Sequence, residues 1–469
     1  MELPDITMTI DGKSVPHVAG FDVLNPSTEQ VVAQAPDCAD DQLDAAFDSA
    51  ARAFGDWRED LPGRRQILSD AADALVANAE ALAPVLTLEQ GRPVDQAAIE
   101  VHAAAAWFRY FAALEIPTEI VQDDDAGRGE IIRKPVGVVG AITPWNFPLL
   151  LASWKLAPAL LAGNTVVLKP SPYTPLATLA LGAVLRDVVP AGVLNVVSGR
   201  DPLGAAMTAH PVPRKISFTG SIATGKRVAA AAADDLKRVT LELGGNDPAI
   251  LLDDVEPAAI TEKLFQFSFS NSGQVCSAIK RVYVHESRYA EVVEALTERV
   301  RAARVGDGFT DGVELGPIQN APQYARVSGL VSAAIDDGAT ATTGGRPMDG
   351  PGYFFEPTVL TGLVEGSAIV DEEQFGPALP IMPYSRIEDA VQRANATNYG
   401  LGASVWGTDT ERATAVAGQL DSGSVWVNTH MAVAPNLPFG GAKWSGLGVE
   451  NGPWGYAAFT ELQLVFRAR

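Results

Sequence analysis

The residues able to do chemistry form a small set. Cys276 is one of only two cysteines in the chain. It ends the run Asn271-Ser272-Gly273-Gln274-Val275-Cys276, and its small neighbours leave room for a substrate and for backbone amides. A thiolate attacks carbonyl carbon readily once a base or a lowered pKa provides it. Upstream, Glu242 precedes Leu243-Gly244-Gly245, where paired glycines let other backbone approach closely. That suits a general base acting on the thiol or on water. Further upstream, Asn146 lies in Thr143-Pro144-Trp145-Asn146-Phe147-Pro148, and its side-chain N–H can hold an oxyanion together with the Cys276 backbone N–H. Such a donor is worth ~3 kcal/mol of transition-state stabilisation. Together a thiol, a carboxylate and an amide can oxidise an aldehyde through a thioester. Taken singly, each has a plainer reading: a core cysteine, a surface charge at a strand end, a turn former. Their combination reverses those readings.

These groups need elements to position them. Ala, Leu and Arg recur at helical period from 40 to 85, with Pro62-Gly63 as the break between two helices, and another helix covers Val94 to Leu114. Residues 118 to 134 predict a hairpin with a wet turn, suited to an arm that pairs with another subunit. From 136 to 250, apolar strands (Val136–Val139, Val166–Leu168, Val193–Val197, Lys215–Phe218) alternate with helices, which means a covered, largely parallel sheet. A second α/β unit follows to about 436, with strands at 249–251, 282–284, 403–405 and 424–427. The last residues alternate like an edge strand. No internal repeat is evident.

Composition bounds the rest. A chain of 469 residues predicts two or three domains, and 47% hydrophobic residues supply a large core. A net charge of −22 argues against nucleic acid and anionic membrane as partners. Two cysteines make a disulfide framework unexpected, and Cys38 reads as incidental. The five histidines, at 17, 102, 210, 285 and 430, have no ligand-like spacing, so no metal is expected. The first twenty residues carry neither a basic nor an apolar targeting region, and no run reads as a membrane span, so a cytoplasmic protein is expected.

Phe218-Thr219-Gly220-Ser221 is a strand followed by a turn and a helix start, a place where phosphate binds. The usual dinucleotide glycine spacing is absent. Lys169 ends another strand, where α/β sheets take ligands.

Taken together, the chain resembles the NAD(P)-dependent aldehyde dehydrogenase superfamily in its non-acylating, hydrolytic branch. The resemblance covers nearly the whole length. Its motifs are Pro144-Trp145-Asn146-Phe147-Pro148, Phe218-Thr219-Gly220-Ser221, Leu241-Glu242-Leu243-Gly244-Gly245, Gly273-Gln274-Val275-Cys276, Glu373-Gln374-Phe375-Gly376-Pro377 and Pro438-Phe439-Gly440-Gly441. It implies Cys276 as nucleophile, Glu242 as general base and Asn146 as oxyanion donor. For the cofactor, NAD or NADP with NAD slightly favoured, it implies Thr143, Pro144, Trp145, Lys169, Ser171, Gly220, Ser221, Gly244, Glu373 and Phe375. Glu450 corresponds to a proton-relay carboxylate, Lys155 lies near the catalytic channel, and Asn428 is a structural polar group.

The resemblance also implies an aldehyde tunnel walled by Phe147, Leu150, Leu151, Trp154, Val275, Ser277, Val433 and Phe439. This mostly apolar set suits an aromatic or medium aliphatic aldehyde. A semialdehyde or hydroxyaldehyde held by Ser277 and by His430 at the tunnel mouth is the alternative. A silent scaffold and a thiol esterase are more remote. The implied architecture is a Rossmann-like cofactor domain (1–116 and 136–244), a catalytic domain (245–436), an oligomerisation element (117–135 and 455–469) and a return segment (437–454), in a homo-dimer or homo-tetramer. Two positions depart from the pattern. Pro172 stands where NAD-preferring members often carry glutamate, and Asn246 where lysine is commoner.

Overall fold

Apolar strand runs alternating with helices become two separate sheets in the computed structural model, which describes residues 3–16 and 19–469. Of the histidines singled out above, His17 lies outside the described residues. The first sheet has eight strands in the order Gly446–Leu447, Arg238–Glu242, Lys215–Thr219, Val138–Ile142, Thr165–Lys169, Leu194–Val196, Met8–Ile10, Lys13–Val15. Its middle pairs are parallel. The strands Val138–Ile142, Thr165–Lys169 and Lys215–Thr219 are buried at every position, which is why they read as unbroken apolar runs.

The second sheet has seven strands, with Ile279–His285 at its centre between Ala378–Tyr384 and Asp247–Leu251, and Gly402–Trp406 on the far side of Asp247–Leu251. A third sheet joins Thr460–Ala468 to the hairpin Glu119–Asp124 and Gly127–Pro135. The expected arm and the alternating C-terminus are therefore one sheet. Its Ile120, Val121, Leu462, Leu464 and Phe466 are exposed.

Two features differ from expectation. Pro62-Gly63 does not break a helix. It sits in the first turn of Leu61–Ala77, where Asp60 accepts the Gly63 N–H at 2.9 Å. Proline is tolerated there because that N–H has no helical partner. The breaks fall on either side of this helix, so the region holds three helices, Asp40–Trp57, Leu61–Ala77 and Ala79–Gln90. The strand expected from Val136 begins at Val138, after Gly137 at φ 126°. Among the described residues no single helix is long and apolar enough to cross a membrane, although the bent pair Leu61–Ala77 and Ala79–Gln90 would pass on length and composition together.

Candidate active site

Cys276 is presented by a strained loop. The helix Pro257–Phe269 ends, and Asn271, Ser272 and Gly273 follow at φ 52°, 55° and 71°. Left-handed backbone is costly for serine and held only where the surroundings fix it. Ser272 Oγ donates to the Gly316 carbonyl at 2.6 Å, and Gln274 Nε2 donates to the Asn271 carbonyl at 2.9 Å. A Cβ on Gly273 would stand 2.2 Å from the Gly376 carbonyl oxygen, so only glycine fits. The Gly-Gln-Val-Cys motif is thus a loop geometry: it turns the chain so that Cys276 faces the end of the first sheet.

Asn146 meets this loop from that sheet. Its Nδ2 donates to the Gln274 carbonyl at 3.0 Å, and a carboxamide nitrogen has a second hydrogen to offer. The Asn146 carbonyl accepts from Asn271 Nδ2 at 3.2 Å and from the Arg92 guanidinium. Arg92 is paired with Glu100 at 2.5 Å, both fully buried. Glu100 also accepts the N–H groups of Leu149 and Leu150, at the start of the helix Pro148–Ala162. One ion pair therefore fastens the Asn146 loop and the helix behind it.

Glu242 ends the strand Arg238–Glu242 and is 3% exposed, with no hydrogen-bond partner for either carboxyl oxygen. A buried unpaired carboxyl is uncommon and marks a group that must take up a proton or move. Burial holds its pKa well above the ordinary carboxylate range, the charge of Glu450 raises it further, and Lys155 offsets part of this. Lys155 Nζ donates to Glu450 at 2.7 Å, and Ser217 Oγ reaches the same oxygen at 3.3 Å. The Cys276 thiol is pushed up to about 12 by burial and then by the charges of Glu373, Asp247 and Glu242.

Cys276, Asn146, Glu242, Gly244, Glu373 and Phe375 line one cavity of about 440 Å³, whose other walls include Pro144, Trp145, Gly220 and Ser221. Glu373 folds against the backbone, accepting the Gly245 N–H at 3.2 Å. A Cβ on Gly244 would lie 2.2 Å from a Glu373 carboxyl oxygen, which accounts for glycine there. Phe375, at φ 50°, stacks edge-on with Trp145 at 5.2 Å. Ser221 caps the helix Ile222–Ala233 by accepting the Thr224 N–H.

Thr143, Lys169 and Ser171 sit at neighbouring strand ends outside this cavity. Thr143 donates its N–H to the Lys169 carbonyl at 3.0 Å. Lys169 is 3% exposed, donates to the Pro170 carbonyl, and is lowered to about 8 by burial. Ser171 Oγ accepts the Tyr173 N–H. An adjoining cavity of about 650 Å³ is lined by Pro172, Tyr173, Arg200 and Asp201. The residues fit a nicotinamide dinucleotide. Thr219 Oγ1, on the cavity wall, is buried and unpartnered, Lys169 supplies a buried ammonium, and a capped helix start lies between.

The tunnel residues gather elsewhere. None lines the 440 Å³ cavity. Leu151, Trp154 and Phe439 are buried in one apolar cluster, with Phe147, Leu150, Val433 and Cys276 packed against it. Trp154 stacks on Trp107 and meets Phe439 edge-on at 5.2 Å. Val275 and Ser277 flank the cysteine and are buried. His430 is not at a mouth. It is wholly buried, and its Nε2 donates to the Ser277 carbonyl at 2.9 Å. The contact uses the Ser277 backbone, and His430 Nδ1 has no hydrogen-bond partner. Asn428 is structural, exchanging hydrogen bonds with both backbone groups of Gly407.

Several residues of the site escape a linear reading. Gln323 donates to the Gln374 and Phe375 carbonyls, Arg326 donates to the Glu373 carbonyl at 3.1 Å, and Tyr399 lines the cavity. Lys280 did carry a signal, a charge inside a buried strand, whereas Arg92 lies in the short link between two helices.

The match to known proteins agrees with this geometry. The family model described as "Aldehyde dehydrogenase family" matches residues 15–465. Phenylacetaldehyde dehydrogenase of Pseudomonas fluorescens is 40% identical over 475 residues, covering 94% of this chain and 94% of its own. Retinaldehyde dehydrogenase 3 of Rattus norvegicus is 40% identical over 455 residues, covering 95% of this chain and 89% of its own. The crystal structure of betaine aldehyde dehydrogenase from Staphylococcus aureus in complex with NAD+ superposes with a TM-score of 0.95 at 33% identity, covering 99% of this chain and 95% of its own. The fold and the site are those of an NAD(P)-dependent oxidoreductase. The chain belongs to the aldehyde dehydrogenase family, whose reaction takes an aldehyde to a carboxylic acid through a catalytic cysteine.

Proposed function

We propose that Cys276, Glu242 and Asn146 carry this reaction on aromatic or medium aliphatic aldehydes. The observation that carries the assignment is the unpartnered carboxyl of Glu242 lining one cavity with Cys276 and Asn146. The Cys276 sulfur adds to the aldehyde carbon and forms a thiohemiacetal oxyanion. The second Nδ2 hydrogen of Asn146 and the Cys276 backbone N–H hold that oxygen. Bound NAD(P)+ supplies the hydride acceptor. Loss of hydride from the former aldehyde carbon leaves a thioester on Cys276. Glu242 takes a proton from water, the hydroxide adds to the thioester carbon, and the C–S bond breaks to release the acid and restore the thiolate. Glu450, paired with Lys155, receives the proton from Glu242 and passes it on.

In this reading Glu373 grips the nicotinamide ribose with Phe375 beside the nicotinamide, Ser221 contacts the pyrophosphate at its helix start, and Trp145, Gly220 and Gly244 complete that part of the cofactor site. Thr143, Lys169 and Ser171 hold the adenosine half. NAD is preferred over NADP; Asp201 beside Lys169 supports this, because its charge opposes a 2′-phosphate. The apolar cluster behind Cys276 supports the substrate class, and so does the likeness to a phenylacetaldehyde dehydrogenase. The exposed apolar side chains of the three-stranded sheet support a homo-dimer or homo-tetramer joined through 117–135 and 455–469. The cofactor domain comprises 1–116 and 136–244, the catalytic domain 245–436, and 437–454 returns to the first sheet. A cytoplasmic location agrees with a thiol nucleophile, which needs a reducing compartment.

The test is reduced-nicotinamide absorbance with phenylacetaldehyde, hexanal and succinate semialdehyde, each with NAD+ and NADP+. Higher kcat/KM for phenylacetaldehyde and hexanal with NAD+ is expected. A preference for the semialdehyde would overturn the substrate class.

A further inference from the structure

Lys280 follows Cys276 into the central strand Ile279–His285 and is 1% exposed. A lysine is rarely buried so completely unless its charge is matched. Its Nζ donates to the Gly273 carbonyl, the carbonyl of the left-handed turn that presents Cys276, and lies 5.6 Å from the centre of the Phe375 ring. On the adjacent strand Asp247 pairs with Ile279 in register. Asp247 is also 1% exposed, and neither of its carboxyl oxygens has a hydrogen-bond partner.

Asp247 Oδ1 and the Cys276 carbonyl oxygen converge on Gly245: a Cβ there would lie 2.7 Å from one and 2.5 Å from the other. The carboxylate thus lies beneath the nucleophile's own peptide. The charged groups around Cys276 are Glu242 at the end of its strand, Glu373 in the loop before Phe375, Asp247 and Lys280; His430 lies behind Asp247, its Nε2 3.5 Å from Asp247 Oδ2. Arg326 stands further out, engaged with Glu372 at 2.8 Å.

We infer that Lys280 is a positioning residue: its ammonium anchors the Gly273 turn and is the buried cation that offsets Glu373 and Asp247 beside Cys276. The carboxylates of Glu373, Asp247 and Glu242 raise the Cys276 thiol, and a cation held among them opposes that rise. Asp247 and Lys280 lie on adjacent strands at a register shift, and the charge of Asp247 favours the ammonium of Lys280. Asn246 takes no part in this arrangement and donates to the Val370 carbonyl at 2.8 Å.

This inference rests on Cys276 being the nucleophile, and its test needs neither aldehyde nor cofactor. The rate of iodoacetamide alkylation is measured against pH, with the labelled peptide identified by mass, for the wild type, Lys280→Met, Asp247→Asn and the double variant. The midpoint for Cys276 should rise by about one to three pH units in Lys280→Met. It should fall in Asp247→Asn and return towards the wild-type value in the double variant. A purely packing role would lower stability and leave the midpoint in place, and that result overturns the proposal. If Lys280→Met fails to fold, an unchanged midpoint in Asp247→Asn overturns it equally. Labelling of Cys38 in place of Cys276 would instead fault the choice of nucleophile.

Discussion

Two regions of the molecule hold a cysteine, and their thiols are displaced alike. Cys38 precedes the helix Asp40–Trp57, Cys276 precedes the strand Ile279–His285, and both are half-buried. Burial first and neighbouring carboxylates second push each thiol to about 12. Their companions differ. Around Cys38 the carboxylates are engaged or wet: Asp37 pairs with Arg200 at 3.0 Å, and Asp40 and Asp41 are exposed in the first helical turn. The sulfur itself contacts the Ala39 carbonyl at 3.4 Å. Around Cys276 an unpaired carboxyl and a side-chain amide share the cavity. A raised thiol pKa therefore does not mark a nucleophile. Convergence of unsatisfied groups does.

The sharpest way to break this comparison is to exchange the losses. Cys276→Ala should abolish aldehyde-dependent cofactor reduction, and Cys38→Ala should leave it within about twofold; steady-state rates decide. Glu242→Gln comes next. It keeps the shape and removes the base, so kcat should fall by about 10²–10⁴ while a single burst of reduced cofactor persists. Absence of the burst would place Glu242 before hydride loss. Asn146→Ala should lower kcat by about 10²–10³ with little change in KM.

Arg92→Met attacks the scaffold on the Cys276 side only. It leaves Glu100 buried without its partner and should cost about 3–5 kcal/mol in denaturant unfolding. No such cost should attend Arg200→Met beside Cys38, where the pair is exposed. The smallest effect concerns pH. The proposed base role needs Glu242 ionised, and its folded pKa is raised, so turnover should fall as pH drops through a value above the ordinary carboxylate range. Glu450 contributes to that rise. Glu450→Gln should therefore move the acid limb of the kcat/KM profile to lower pH.

The legibility of the chain divides along the same physical line. Cys276, Glu242 and Asn146 were visible because each sits in a local motif. The strands Thr165–Lys169 and Lys215–Thr219 were visible because both faces are covered. The N-terminal strands Met8–Ile10 and Gly20–Asn25 were not, since the first has only three residues and the second is only partly buried. The helices Pro257–Phe269 and Ala321–Asp336 were missed as well, for want of a continuous apolar stripe. Pro62-Gly63 misled because a helix start and a helix break use the same residues. Arg92, Glu100 and Lys280 act across long sequence separations, and their roles exist only once two sheets and a helix have come together. His430 looked like a loop residue and proved to be a buried support.

The most direct test of the central claim is acid-quench mass spectrometry of the Glu242→Gln variant, mixed with NAD+ and phenylacetaldehyde and then digested. The account predicts a phenylacetyl adduct on the peptide containing Cys276, equal in amount to the reduced cofactor formed, and none on the peptide containing Cys38. Reduced cofactor without an adduct on Cys276, or an adduct on Cys38, would contradict it.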